Sequence, residues 1–218
     1  MDQLNPMLAL AGVLALVVAT PVSGQMPSFP DQAMLPTNSS RSAYVAVEYG
    51  RGLNDASTKT DTFAGTVGVT VERLSFQGSA GFIASDVDEL ALGATTGVDL
   101  ISAPGAPVRL TLQGGVGWMS TDIPAGTLTF LRFPIGLVLA SLLSAPNFRV
   151  TPWVMPRLNI ARASIESIST TTTDFGVSGG LAITLRSGLG LHAAVDALVS
   201  DRDNPFIVSL GTHYVFTH

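Results

Sequence analysis

The stretch that decides the fold lies at the C-terminus: Ser209-Leu210-Gly211-Thr212-His213-Tyr214-Val215-Phe216. In an extended strand, successive side chains point to opposite faces. Over 206–216 one face then carries Phe206, Val208, Leu210, Thr212, Tyr214 and Phe216, and the other carries Ile207, Ser209, Gly211, His213 and Val215. A strand that lies between lipid and a polar lumen needs one mostly apolar face and one face of mostly small or polar residues. The stretch therefore predicts a strand that crosses a membrane.

The composition agrees with a membrane protein that has no spanning helix. Apolar residues make up 46% of the 218 residues and charged residues only 12%. Beyond the N-terminus, however, the chain has no apolar run of the roughly 18 residues that a spanning helix needs. A barrel strand needs apolar residues only at alternate positions, which reconciles the two observations. The absence of Cys excludes disulfides and thiol chemistry, and the net charge of −5 argues against nucleic acid as a partner.

The first residues have the features of an export signal. An apolar stretch over 7–19 is followed by Pro21 and by Val22-Ser23-Gly24, where small residues occupy the last and third-last positions before a cleavage site. We predict a signal peptide over 1–24, cleaved before Gln25, with a retained anchor as the alternative. Residues 25–42 contain prolines and show no periodicity, which predicts a flexible periplasmic lead-in. The remaining residues, 43–218, form the predicted barrel domain.

The barrel domain divides into about ten strand-like segments with turn-rich gaps between them. The segments are 43–50, 62–71, 75–84, 91–101, 107–119, 128–140, 149–162, 174–185, 189–199 and 206–216. Longer polar gaps, such as 51–61, 120–127 and 163–173, alternate with shorter ones. This pattern predicts an all-β, antiparallel up-and-down transmembrane barrel with long outer loops and both termini in the periplasm. The expected strand number is about ten, with eight and twelve as alternatives.

Alternation inside the segments assigns the two faces. In 107–119 the apolar face carries Val108, Leu110, Leu112, Val116 and Trp118, and the opposite face carries Arg109, Thr111, Gln113, Gly115 and Gly117. The segments 62–71 and 174–185 alternate in the same way. Prolines at 134, 152 and 156 predict bulges or strand ends, because proline cannot donate to the ladder.

In the terminal Gly211, Tyr214 and Phe216, in the hairpin alternation and in the export signal, the chain resembles small bacterial outer-membrane β-barrel proteins. These form a broad superfamily of 8- to 10-stranded barrels with mixed functions. The resemblance covers 43–218. It implies that Gly211, Tyr214 and Phe216 act as an assembly signal for the barrel assembly machinery and that periplasmic chaperones deliver the chain. It also implies outer-membrane lipid and lipopolysaccharide as the surroundings.

The inward-facing charged residues predict a polar lumen network. Pairing the predicted hairpins places Asp99 across from Arg109, as an ion pair, and Arg132 beside Arg157, two like charges that need a carboxylate or bound anion between them. The last hairpin places His192 opposite His213. The predicted network comprises Asp99, Arg109, Arg132, Arg157, His192, Asp196 and His213.

Three interpretations of the histidines remain open. The first is a structural hydrogen-bond network. The second is a serine-hydrolase arrangement of Ser178, His192 and Asp196, as in outer-membrane lipid A deacylases. The third is a metal site of two histidines and a carboxylate. We expect the structural network, and therefore no catalytic, metal-binding or cofactor-binding residues and no cofactor.

Three functions follow from these interpretations. The leading expectation is a structural or surface-interaction protein whose long outer loops face the exterior and are available to an extracellular ligand. The alternative is a narrow, porin-like pore for small, anionic solutes, sensitive to Arg132 and Arg157. The third is an outer-membrane lipid hydrolase. The competing fold is a soluble exported sandwich, in which the apolar faces would pack on a second sheet.

Overall fold

The computed structural model describes residues 33–35, 41–57, 59–84, 89–101, 107–123, 126–166, 168–199 and 204–217. Nearly all of these residues lie in ten long strands. The strands are β1 (Arg41–Gly52), β2 (Asp61–Val71), β3 (Leu74–Ala84), β4 (Glu89–Ile101), β5 (Val108–Ile123), β6 (Gly126–Ser141), β7 (Phe148–Ile165), β8 (Ile168–Leu185), β9 (Leu189–Val199) and β10 (Phe206–Thr217). A two-residue strand, Leu143–Ser144, and a 3-10 turn, Asp55–Ser57, complete the described elements. None of the helical segments in these ranges is long and apolar enough to cross a membrane.

The sheet closes on itself. Each long strand pairs antiparallel with its neighbours in the chain, and β10 pairs with β1 from Ser42 opposite Thr217 to Gly52 opposite Ile207. Closure leaves no edge strand to pair with another chain. The predicted all-β up-and-down barrel is confirmed. The sandwich alternative is wrong, because the ten strands form one continuous sheet. The predicted signal peptide over 1–24 lies outside the described residues.

The distribution of polar and apolar side chains is the reverse of that in a water-soluble protein. Outward residues such as Val67, Leu191 and Leu210 are each 61% exposed, whereas inward polar residues such as Thr66 and Ser178 are buried. An apolar surface that continues round the barrel far exceeds the patches that soluble monomers expose. In a bilayer the same surface contacts the apolar lipid tails, and the strands pair their backbone groups with one another within the sheet. The fold is therefore that of a transmembrane barrel.

Four strands extend beyond the others at the end away from the termini. β5 and β6 have 16 residues each and β7 and β8 have 18, against 11 to 13 in the remaining strands. Their outer ends, 120–123, 126–129, 161–165 and 168–173, form what we call the projecting sheet. The predicted loops over 120–127 and 163–173 are thus mostly strand. Their Ser/Thr-rich sequence indicated turns, but pairing continues to Ile165 opposite Ile168.

The three prolines interrupt hydrogen bonding without breaking a strand. Pro134 lies within β6, and Pro152 and Pro156 lie within β7. The β6–β7 ladder passes directly from Gly136 opposite Arg157 to Leu139 opposite Val154, and so skips two pairs, one of which would contain Pro156. The expected bulge or strand end is a local gap in the ladder instead.

Candidate functional site: the barrel lumen

The first lumen ion pair joins β4 and β5. Arg109 donates from Nε to Asp99 Oδ2 at 2.8 Å, its Nη2 also contacts that oxygen, and Thr111 Oγ1 donates to Asp99 Oδ1 at 2.7 Å. The structure therefore brings Asp99 and Arg109 together, but the predicted register is wrong by two residues. Asp99 lies opposite Thr111, and a bulge at Leu100 shifts the ladder. Arg109 reaches Asp99 diagonally, which long side chains allow.

The predicted neighbours Arg132 and Arg157 are not paired across the strands. Arg132 lies opposite Ala161, and Arg157 lies opposite Gly136. The predicted register is wrong by four residues, because Leu143 and Ser144 still pair with Val150 and Arg149 and so push the turn toward Asn147. The two guanidinium groups therefore do not form the cross-strand pair of like charges that suggested an anion-binding constriction.

Arg157 instead forms a buried pair with Asp196 of β9. Its Nη2 donates to Asp196 Oδ2 at 2.9 Å, its Nη1 lies 2.6 Å from Oδ1, and its Nε donates to Asn159 Oδ1 at 3.2 Å. Both charged side chains are almost fully buried. Gly176 provides the space, because a Cβ atom there would lie 2.9 Å from the guanidinium carbon. The Nη2–Oδ2 contact is a charge-assisted hydrogen bond, which is stronger than one between neutral groups, and the Nη1–Oδ1 contact adds a close approach of the two charges.

The two histidines belong to a buried chain of four side chains. Glu48 Oε2 lies 2.9 Å from His192 Nε2, His192 Nδ1 lies 3.2 Å from His213 Nδ1, and His213 Nε2 lies 2.8 Å from Thr184 Oγ1. The predicted proximity of the histidines is present. The predicted register is again off by two, because Leu198 N donates to Pro205 O and fixes the hairpin there.

Each histidine covers the glycine opposite it. His192 faces Gly211, and His213 faces Gly190. A Cβ atom at either glycine would collide with the facing imidazole ring. Gly211 of the predicted assembly signal therefore also makes room for His192, while Tyr214 and Phe216 point outward with ring centroids 4.8 Å apart. The assembly signal itself stays a prediction.

Neither the hydrolase nor the metal arrangement is assembled. Ser178 lies opposite Asp196, as predicted, but the Asp196 carboxylate is bound by Arg157. His192 lies opposite Ala182, four residues along β8 from Ser178, which is roughly 13 Å at the rise of a strand. Within the described ranges, no three His, Asp or Glu side chains are grouped so that they could hold a metal ion.

Several members of the lumen network were not in the predicted set. Tyr44 hydrogen-bonds Gln77 Oε1, and its ring covers Gly68, where a Cβ atom would collide with it. Glu48 and Gln113 are buried inward as well. All four of these lumen side chains lie on the inward phase of the alternation, which was the signal that could have identified them.

Part of the predicted periplasmic lead-in lies inside the barrel. Met34 is 8% exposed, and its backbone N donates to Gln113 Oε1 at 3.0 Å. Ala33 and Leu35 line a cavity of about 20 Å³ together with Tyr44, Glu48, His192 and other lumen residues. This volume is enough for one water molecule. Residues 41 and 42 open β1, and the rest of the lead-in lies outside the described residues.

Comparisons with known proteins find similarity in structure only. No family model and no curated protein sequence matches the chain. The N-terminal β-barrel domain of Pseudomonas aeruginosa OprF is 11% identical, with a TM-score of 0.40 over 80% of this chain and 97% of that one. The translocator domain of the autotransporter NalP from Neisseria meningitidis is 11% identical, with a TM-score of 0.44 over 97% of this chain and 98% of that one. The outer membrane protease OmpT from Escherichia coli is 9% identical, with a TM-score of 0.42 over 85% of this chain and 100% of that one.

The closed ten-strand sheet, the apolar exterior and the polar interior define a small transmembrane β-barrel, with the architecture that outer-membrane-type barrels share. Its apolar exterior requires a lipid environment. Barrels of this class include enzymes and proteins without enzymatic activity, so a more specific function has to come from the lumen and the outer rim of this chain.

Proposed function

We propose that this protein is a closed outer-membrane barrel with a structural or surface-interaction role, rather than a pore or an enzyme. The observation that carries the proposal is the occupied lumen. The Arg157–Asp196 pair, the Glu48–His192–His213 chain and Ala33–Leu35 all lie within it. A pore needs a continuous polar path with sites that release the solute. Here the buried charges are bound to one another.

The outer rim favours a role at the cell surface. The projecting sheet carries polar residues on its outward side, namely Thr127, Thr129, Arg162, Ser164, Ser169, Thr171 and Thr173. Leu128 and Ile165 are buried on its inward side, against Phe130 and Ile168. The apolar cluster holds the projection as an ordered sheet, which presents its polar side at a low entropic cost of binding.

The first outer loop is also held in place. Leu53 N donates to Phe206 O at 2.8 Å, and Asn54 Nδ2 donates to Asn204 O at 2.7 Å. Phe206 N in turn donates to Asn54 Oδ1 at 3.2 Å. These bonds join the first loop to the last one. The described part of the first loop is therefore held in a fixed position on the barrel, as functional loops on a rigid scaffold are.

Export belongs to the same proposal. Cleavage before Gln25, delivery by periplasmic chaperones and insertion by the assembly machinery would place the termini in the periplasm and the projecting sheet outside, next to lipopolysaccharide. Mass spectrometry of the mature chain from the outer-membrane fraction tests the cleavage. A mature N-terminus at Gln25 supports the proposed processing, and a retained segment 1–24 contradicts it.

Two experiments separate the functions. In planar bilayers the full chain should give no sustained open-channel events, and conductance that changes with Arg132→Ala would indicate the pore instead.

The second experiment uses the source bacterium and measures detergent resistance and attachment to surfaces. A strain that lacks the chain receives a variant in which Asn-Gly replaces 163–170, which shortens the projecting sheet and leaves Arg162 opposite Thr171. If the variant restores detergent resistance but not surface attachment, the protein has a surface-interaction role. If the variant restores both detergent resistance and surface attachment, the role is structural.

A further inference from the structure

Ala33–Leu35 contacts the lumen wall on opposite sides. The backbone N of Met34 donates to Gln113 of β5, and the Met34 methyl group lies 2.6 Å from the position of a Cβ atom on Gly97 of β4. Leu35 packs against Tyr44 and Ala46 of β1 and Val215 of β10. The segment is therefore enclosed by the barrel rather than laid along one strand.

The third contact lies on the wall formed by β6, β7 and β9. Ala33 packs against a buried cluster of Val138, Ala140, Trp153, Met155 and Ala194. Trp153 points inward here, against the backbone of Gly180, although most aromatic residues near the strand ends point to lipid. An apolar cluster inside a polar lumen needs an apolar partner, and Ala33 supplies it.

The wall leaves room for a chain segment. The side chains of an eight-stranded barrel are just able to fill its interior, and the interior widens as strands are added. In this ten-strand barrel several of the residues that surround the segment are small, namely Ala46, Gly97, Ala140 and Ala194. Without an occupant, these positions would leave a void, which is costly in a packed interior.

We propose that the lumen is a binding site for a short apolar peptide in extended form, and that its native occupant is the chain's own Ala33–Leu35. Gln113 recognises the occupant through its backbone, and the small wall residues select side chains by size. The bound segment is the plug that closes the barrel. This inference rests on the closed barrel proposed above and adds the element that closes it.

The test replaces the three plug residues in the full chain. In the variant with Ala33→Gly, Met34→Gly and Leu35→Gly, planar bilayers should show open-channel events that the unaltered chain lacks, because the apolar contacts are gone. A synthetic peptide with the sequence of residues 30–40 should abolish these events, and the same peptide with Met34→Asp should not. Gly78→Ala is the matched control, since Gly78 lies away from the lumen with open space around it, and this variant should remain closed.

A second measurement does not depend on the stability of the glycine variant. The chain has no Cys, so the pair Met34→Cys with Gly97→Cys can be joined by a short thiol cross-linker and detected by mass spectrometry. The cross-link should form when the linker is added to the folded barrel, and should not form when the linker is added to the boiled chain. In the control pair, Met34→Cys with Gly78→Cys, the two cysteines should not be cross-linked to each other.

The outcomes are distinct. A folded glycine variant that stays closed, or equal cross-linking in the two cysteine pairs, overturns the plug and leaves the closed barrel standing. Sustained conductance of the unaltered chain overturns the proposed function itself. New open-channel events that the peptide blocks, together with cross-linking only in the pair that contains Gly97→Cys, support the plug.

Discussion

Arg157 and Asp196 form a two-point ion pair inside the barrel, with Nη1 2.6 Å from Oδ1 and Nη2 2.9 Å from Oδ2. Their side chains are 0% and 2% exposed. The pair joins β7 to β9 across β8, so it ties three strands of the wall together. Because neither charge reaches water, each depends on the other.

Loss of the carboxylate should therefore be strongly destabilising. Asp196→Ala leaves the Arg157 charge buried without its partner, and we expect a loss of about 3–5 kcal/mol in the free energy of unfolding. Urea unfolding in detergent, followed by tryptophan fluorescence, measures it. The double variant Arg157→Leu with Asp196→Leu should regain part of the loss, because no charge is left behind.

An exposed ion pair provides the control. Lys59 Nζ lies 2.6 Å from Asp55 Oδ1, and this hydrogen bond and charge lower the pKa of Asp55. Both side chains are exposed, so Asp55→Ala should leave unfolding unchanged. Equal effects of Asp55→Ala and Asp196→Ala would contradict a special role for the lumen pair.

Two glycines on neighbouring strands should respond differently to the same change. Gly68 faces inward under the ring of Tyr44, whereas Gly78 has no heavy atom within 4 Å of an added Cβ. Gly68→Ala should cost about 1–3 kcal/mol through overpacking, and Gly78→Ala should be neutral or mildly stabilising. The temperature at which the folded gel band disappears compares them.

A double variant assigns the cause. In a Tyr44→Ala background the ring is absent, so Gly68→Ala should then cost much less. An undiminished cost in that background would show that the ring is not what limits the space at Gly68.

The bonds of Asn54 should protect the first outer loop from proteolysis. Lys59 is the only lysine in the chain, so a lysine-specific protease added to intact cells can cut there alone. Asn54→Ala removes the bonds to Asn204 and Phe206 and should speed cleavage without lowering the unfolding temperature. Cleavage at an unchanged rate would show that these bonds do not hold the loop, and cleavage only in broken cells would reverse the proposed orientation.

Period-two alternation was enough to predict the strands and their faces. Side chains on opposite faces meet either lipid or the lumen, so the pattern at residues such as Val67 and Thr66 is fixed by a large difference in environment. The strand ends of β9 were predicted without error for the same reason. The Ser/Thr run of 169–173 misled the prediction, because in this part of β8 polar residues occupy both faces of the strand.

The cross-strand partners were harder to predict. A hairpin register depends on where its turn begins, which alternation does not determine. At the β6–β7 hairpin, pairing by Leu143 and Ser144 moved every partner by four residues, and Arg157 came to lie by Asp196 instead of Arg132. The position of Ala33–Leu35 was also beyond sequence reasoning, since its contacts come from strands distant in the chain.

The most direct test of the central claim, a closed barrel in the outer membrane, is the gel mobility of the outer-membrane fraction, unheated against boiled. Closed barrels without an edge strand resist the detergent until they are heated. We predict a band in that fraction that migrates faster when unheated and shifts to the position of the full-length chain after boiling. A band in the soluble fraction, or one with the same mobility before and after boiling, would contradict the account.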